Sequence, residues 1–131
     1  MALQPGGSPG GGLGDGRAVK LTDLDATFIA GPAAGEGHRR VATMAEAQGL
    51  LFQCPACALG KERAELDGRC FAVGAHYVRV WFSGRGAPYD ATPLSRWLAS
   101  GTSLDDLTLE PSIAISGGCR WHGYVRNGDA A

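Results

Sequence analysis

The sequence predicts a small, mainly β domain, with a small α+β fold as the alternative, for three reasons. Its apolar residues fall in short runs separated by glycine, proline and other turn formers, which is typical of strands. Its stretches of good helix formers are short. Cysteine and histidine pairs lie near both ends of the apolar part and indicate a compact antiparallel sheet closed by a metal site.

The 131 residues suit a single domain preceded by a tail. Residues 1–16 include the run QPGGSPGGGLGDG, whose glycines leave backbone entropy uncompensated and whose one leucine cannot build a core. We expect this tail to be flexible and disordered. Residues 17–131 then form one domain, small enough to gain much stability from a metal or a disulfide.

Charge and cysteine content narrow the class of protein. The 12 Lys and Arg against 13 Asp and Glu give a net charge of -1, so no basic field attracts a nucleic-acid backbone. No apolar run reaches the ~20 residues that span a bilayer, and no secretory signal is apparent, so we expect a cytoplasmic protein without membrane contact. In a reducing compartment the four cysteines are metal ligands or free thiols rather than disulfides.

The first half of the apolar part supports short elements. Residues 19–29 carry apolar side chains at mixed spacing, enough for one strand or a strand and a turn. Residues 42–48 (ATMAEAQ) favour a short helix that Gly49 ends. Residues 49–53 (GLLFQ) predict a strand that leads directly into the CPAC turn. Residues 58–68 are charged and helix-prone, and we expect an exposed excursion there.

The second half contains the clearest strand. Residues 76–82 (HYVRVWF) place Val78, Val80 and Phe82 on one face. Residues 83–93 have the composition of turns.

Further strands follow those turns. Residues 95–99 form another candidate strand, with Trp97 pointing inward. Residues 107–115 continue an extended pattern in which Pro111 predicts a bulge or a sheet edge. Asn127-Gly128 is a strong turn pair that ends a last strand.

Two pairs of candidate metal ligands have two intervening residues each: Cys54 and Cys57 in CPAC, and Cys119 and His122 in CRWHG. Zinc takes thiolate sulfur and imidazole nitrogen in a tetrahedron, and such a spacer lets one turn direct both side chains at one ion. A rival set keeps the first pair and adds Cys70 and His76, with the local spacing C-x2-C-x12-C-x5-H. Spacing favours the rival, since nearly half of the chain separates Cys57 from Cys119. The residues alone leave both sets open.

At CPAC, HYVRVWF, GRGAPYDATP, DDLTLEPSI and CRWHGYVRNGD the chain resembles a family of small phage and bacterial proteins classed as a domain of unknown function. The resemblance covers roughly residues 19–129. It places Cys70 in an insertion and therefore implies that Cys54, Cys57, Cys119 and His122 bind one Zn²⁺ ion. Four protein ligands leave no position for water, which is typical of a structural site. We therefore expect a small zinc-stabilised domain of phage or prophage type that acts as a structural or protein-interaction module, with an unknown protein partner.

Some relatives of that family look like peptidases of bacterial ubiquitin-like operons, which makes Ser112 a candidate nucleophile. If His122 binds zinc, the base that Ser112 needs is His76, oriented by Asp105 or Asp106. The alternative is that this hydroxyl, directly after Pro111, only bridges a turn. A weaker version is a metal hydrolase in which water replaces one ligand and Glu110 is the base.

Overall fold

Strands dominate the part of the chain that the structure describes. The computed structural model describes residues 18–35, 37–87, 96–115 and 119–131, and the backbone alone of 2–6 and 116. Its strands are β1 Ala2–Gly6, β2 Val19–Lys20, β3 Thr27–Ala30, β4 Arg39–Val41, β5 Gly49–Gln53, β6 Arg63–Leu66, β7 Arg69–Ala72, β8 Tyr77–Phe82, β9 Arg96–Ser100, β10 Thr108–Ser116, β11 His122–Arg126 and β12 Asp129–Ala130. The helices are α1, Pro55–Ala58, and two 3₁₀ turns, Leu21–Asp23 and Met44–Glu46. The predicted mainly β fold is confirmed.

One sheet contains all of these strands except β6 and β7, which form a separate hairpin. Its order is β2-β12-β11-β10-β9-β8-β5-β3-β4, and β1 pairs with β10. Neighbours run antiparallel except β8 and β9, which are parallel. β10 is the longest strand. It pairs with β9 along one edge and with β11 along the other, so it joins the strands β2, β12 and β11 to the strands β9, β8, β5, β3 and β4.

The core lies on one face of the sheet. In β8, the side chains of Val78, Val80 and Phe82 are buried in it, as the alternation in the sequence predicts. Trp97 of β9 is fully buried, which confirms its predicted inward position. The same cluster holds further buried side chains from neighbouring strands and loops: Leu21, Leu24, Phe28, Leu50, Phe52, Leu107, Leu109, Ile113, Trp121 and Val125.

Two elements differ from the prediction because local interactions end or redirect them. The expected helix over 42–48 is only the 3₁₀ turn Met44–Glu46, since Thr43 caps it and Ala47 already has extended backbone. The excursion after CPAC is not helical but is the β6–β7 hairpin. Asp67 and Gly68 both have positive φ (54° and 79°), as a two-residue hairpin turn requires. The expected exposure of this segment is confirmed at Leu66, which is 63% exposed.

The predicted tail is partly ordered into the sheet. Ala2–Gly6 forms β1, which pairs antiparallel with the second half of β10, from Ser112 to Ser116. This part of β10 extends beyond its pairing with β9, so its backbone groups are available to another strand. Residues 7–16 of the predicted tail, and 88–93 of the predicted turn region, lie outside the described residues.

The predictions for the two strongest turn signals agree with the structure. The pairing of β10 with β11 shifts register between Leu109 and Ile113, around Pro111, as expected for a bulge. Asn127 and Gly128 both have positive φ and connect β11 to β12. Within the described residues, no helix has the length and apolar character needed to cross a membrane.

Candidate metal centre

Four side chains from three distant segments meet at one point: Cys54, Cys57, His76 and Cys119. One ligand atom from each residue lies within 4.8 Å of the others. Cys54 is buried, Cys57 and His76 are half-buried, and Cys119 is exposed. Three thiols and one imidazole in such a group could hold a metal ion, so the structure contains a Cys/His group of the expected kind.

The CPAC segment positions the first two sulfurs through a single helical turn. β5 ends at Gln53, Cys54 follows, and Pro55 begins α1, where its missing N–H leaves no helical hydrogen bond unmade. The backbone N–H of Ala58 donates to the Cys54 carbonyl at 2.9 Å and closes the turn. Residues three apart on a helical turn lie on the same side, so Cys57 joins Cys54.

His76 and Cys119 reach the same point from two loops. His76 directly precedes β8, and its carbonyl accepts a hydrogen bond from the Cys54 backbone N–H at 2.9 Å. Cys119 lies in the loop between β10 and β11, where the next residue, Arg120, has a φ of 54°. The Cys119 Sγ is 3.5 Å from the Cys54 Sγ and 3.0 Å from the His76 Nε2. Sulfurs that share a tetrahedral zinc ion lie about 3.8 Å apart, given Zn–S bonds near 2.3 Å, so this spacing suits a shared ion.

The three thiols differ in acidity because their surroundings differ. Burial raises the pKa of Cys54 to about 12, and burial also raises the pKa of Cys57. Burial acts in the same direction on Cys119, but hydrogen bonds outweigh it, first the one with His76, and the pKa falls to about 7. A metal ion that binds here must therefore displace protons from Cys54 and Cys57 at neutral pH.

The fourth member of the group is His76, whereas His122, the ligand that the resemblance implies, lies outside the group. His122 is the first residue of β11 and pairs with Ala114 of β10. This register directs its ring along the face of β10 to Ser112, whose Oγ is 3.0 Å from the His122 Nε2. The chain turns between Cys119 and His122, so Cys119 contacts Cys54 and His76 whereas His122 contacts Ser112.

Of the two residues that the rival set adds, His76 belongs to the four-residue group and Cys70 does not. Cys70 lies in β7 opposite Glu65, is exposed, and places its Sγ 3.7 Å from the Glu65 carboxylate. The observed group thus combines Cys119, from the set that the resemblance implies, with His76, from the rival set. The sequence signal for His76 is the local spacing C-x2-C-x12-C-x5-H of the rival set.

Ser112 has a histidine partner, but not the predicted His76. Ser112 is 1% exposed, and its carbonyl accepts a hydrogen bond from the Trp97 Nε1 at 3.2 Å. The Asp106 carboxylate, considered as an orienting group, instead accepts from the backbone N–H groups of Thr102 and Ser103.

The remaining candidate acids do not complete a catalytic group. In the described part of the chain, no carboxylate hydrogen-bonds the His122 ring. Glu110, considered as a base, is exposed on β10 and does not belong to the four-residue group.

Two buried polar residues that the sequence did not single out support the centre. Gln53, 1% exposed, donates from its side chain to the carbonyls of Ala72 and Ala75 and accepts from the Ala72 N–H. It therefore fastens the base of the β6–β7 hairpin beside Cys54. The available signal was an amide at the end of the otherwise apolar run GLLFQ, directly before the first ligand.

The second is Asp25, whose buried carboxylate accepts hydrogen bonds from the Tyr77 hydroxyl at 2.5 Å and from Arg69 at 3.2 Å. Burial and this hydrogen bond raise the pKa of Tyr77 to about 12. Because Tyr77 follows His76 directly, its hydrogen bond with Asp25 holds the start of β8 in place.

An aromatic contact lies close in sequence to two of the cysteines. Trp121, two residues after Cys119, packs edge-on against Phe52, two residues before Cys54, with ring centroids 6.1 Å apart.

Comparisons with protein-family models, curated proteins and solved structures find no match to this chain. The resemblance to a phage and bacterial family, and the roles which that resemblance implies, therefore stay predictions.

Proposed function

We propose that this protein is a zinc-stabilised β module whose four-residue centre binds one structural Zn²⁺ ion. The observation that carries the proposal is the convergence of Cys54, Cys57, His76 and Cys119 from three segments onto one point. Thiolates and imidazole suit zinc, and a tetrahedral group of this composition is typical of zinc. Four protein ligands leave no open position for substrate or water, so the ion acts by joining segments.

The module presents an apolar surface to a protein partner. Within the described residues, five large hydrophobic side chains are exposed. Leu59, Leu66 and Val73 belong to the segment between Cys57 and His76, and Tyr77 directly follows it. The ligands Cys57 and His76 bracket this segment, so the ion would hold its two ends. The net charge of -1 disfavours nucleic acid as the partner. A reducing, cytoplasmic location, in a phage or prophage setting, is part of the proposal.

The two histidines distinguish this zinc site from the one predicted by the resemblance. We expect the unaltered chain and His122→Ala to retain about one zinc per chain after gel filtration, because His122 hydrogen-bonds Ser112 instead of joining the cysteines. His76→Ala should lose tight binding, since ligand removal leaves three thiolates. Elemental analysis and competition with a chromogenic chelator measure both. Retention by His76→Ala with loss by His122→Ala would contradict the assignment.

A hydrolase is the second candidate, favoured by the 3.0 Å contact between Ser112 and His122. In that function His122 would take the proton of Ser112 as it attacks an acyl group. The burial of Ser112 counts against it, because a nucleophile must be reached by substrate. The hydroxyl then serves as a link between β10 and β11, with His122 as its partner.

We expect Ser112→Ala to leave the chain without any change in hydrolysis of activated esters or peptide libraries, and to cost about 1 kcal/mol of unfolding free energy. The measurements are single-turnover assays and urea unfolding. Ser100→Ala, at the exposed end of β9, is the control for stability. Activity in the unaltered chain that disappears in both Ser112→Ala and His122→Ala, with zinc retained, would establish the hydrolase instead.

A further inference from the structure

The three cysteines of the centre differ in their exposure to solvent. Cys54 is fully buried at the end of β5, Cys57 is half-buried in α1, and Cys119 is exposed in the loop between β10 and β11. The Sγ of Cys119, the most exposed of these cysteines, thus lies 3.5 Å from the Sγ of Cys54, the most buried one. A small oxidant from solvent meets Cys119 first, and a second sulfur is already in contact with it.

We propose that Cys119 is a site of reversible oxidation, at which a hydroperoxide leads to a Cys54–Cys119 disulfide and so releases the metal ion. This inference depends on the proposed zinc site for its consequence, but the disulfide itself depends only on the two sulfurs. It gives the structural centre a second role as a redox-controlled release point.

The chemistry balances with hydrogen peroxide as the oxidant. The Cys119 thiolate attacks one peroxide oxygen; an S–O bond forms, the O–O bond breaks and hydroxide leaves. The Cys54 thiolate then attacks the sulfur of this sulfenic acid; the S–S bond forms, the S–O bond breaks and a second hydroxide leaves. Two thiolates lose one electron each, and one peroxide gains both. Two of the four ligands are consumed, which leaves Cys57 and His76 as a pair too weak to retain the ion.

Cys54 is assigned as the second sulfur because its Sγ is in contact with that of Cys119. A disulfide bond is about 2.05 Å long, so the 3.5 Å contact must shorten by about 1.5 Å. Cys54 follows a strand paired on both sides, and its backbone N–H is bonded to His76, so Cys54 stays in place. Cys119 lies between β10 and β11, outside both strands, so we assign the movement to Cys119.

The released ion would free the segment between Cys57 and His76 at both ends, whereas the disulfide would still hold the β10–β11 loop against β5. Oxidation would therefore change the apolar surface proposed for the partner. It would not separate β10 and β11 from β5, because the disulfide would connect them. Gln53 would continue to bind the base of the hairpin through Ala72 and Ala75.

The test uses the full chain with its zinc content measured before any oxidant is added. We expect hydrogen peroxide to release about one zinc per chain, read with a chromogenic chelator, while mass spectrometry without reduction finds Cys54 linked to Cys119. Dithiothreitol followed by zinc should restore the original state. Dimedone added with the peroxide should label Cys119. Cys70→Ser, which removes the exposed cysteine outside the centre, should release zinc at the rate of the unaltered chain.

Cys119→His keeps a possible ligand and should slow zinc release at least tenfold. If that variant does not fold, dimedone labelling of the unaltered chain still identifies the oxidised sulfur. A Cys54–Cys57 disulfide, labelling at Cys70 alone, or oxidation without zinc loss would overturn the inference. Absence of zinc before oxidation would contradict the proposed function instead, and the disulfide map would still decide whether Cys119 and Cys54 react.

Discussion

Cys54→Ser is expected to abolish zinc binding and to remove most of the stability of the domain. Structural zinc sites contribute on the order of 10 to 16 kcal/mol of binding free energy in finger peptides, while whole domains are stable by about 5 to 15 kcal/mol. Even free zinc at about 1,000 times its Kd stabilises the folded state by about 4 kcal/mol. Cys54 has the largest effect among the ligands because it is the buried one, in backbone contact with His76.

Circular dichroism melts and urea unfolding, with and without excess chelator, measure this effect. The unaltered chain in chelator should behave like Cys54→Ser, and added zinc should rescue only the unaltered chain. Cys70→Ser is the matched control, because it removes an exposed thiol that lies outside the centre and should keep both zinc and stability. A melting midpoint that chelator leaves unchanged would contradict the structural role of the metal.

Gln53→Leu should lower the free energy of unfolding by about 2 to 5 kcal/mol, the second largest expected loss of stability, although it places an apolar side chain in a buried site. The Gln53 amide satisfies the carbonyls of Ala72 and Ala75 and the N–H of Ala72. Each buried backbone group left without a partner costs about 1 to 3 kcal/mol. The same contacts hold the hairpin base beside Cys54, so zinc affinity should fall as well.

Urea unfolding in the presence of chelator isolates the loss that does not depend on zinc, and chelator competition measures the affinity. Leu66→Ser, in the exposed hairpin turn, should change stability by no more than about 0.5 kcal/mol. If Gln53→Leu equalled or exceeded the stability of the unaltered chain, the side chain would not be the fastening that its hydrogen bonds indicate.

The strands that sequence predicted well are those whose pattern is local. Val78, Val80 and Phe82 alternate with more polar neighbours, so burial of one face follows from the period of a strand alone. Asn127-Gly128 demands positive φ, and the turn is found there. The β6–β7 hairpin is not predicted from the sequence, because the charged residues of this segment also favour a helix, and its turn at Asp67-Gly68 is known only from the structure.

The sequence predicts a metal site made of cysteine and histidine side chains, but it does not predict which four residues come together. Cys54 and Cys57 are placed by one turn, so their spacing in the sequence was sufficient. The choice between His76 and His122 depends on the register of β11 against β10, which pairs His122 with Ala114 and directs it to Ser112. Register between distant strands arises from packing of the whole sheet, and nothing within CRWHG encodes it.

Alternation and turn chemistry act over a few residues, so the amino-acid sequence is enough to predict a mainly β protein with a CPAC turn suited to a metal. The folded structure is needed to see that His76 and Cys119 join this turn, that His122 pairs with Ser112, and that Ala2–Gly6 enters the sheet. These contacts join residues far apart in the chain. They form where strand pairing and core burial place the backbone, so local preferences do not specify them.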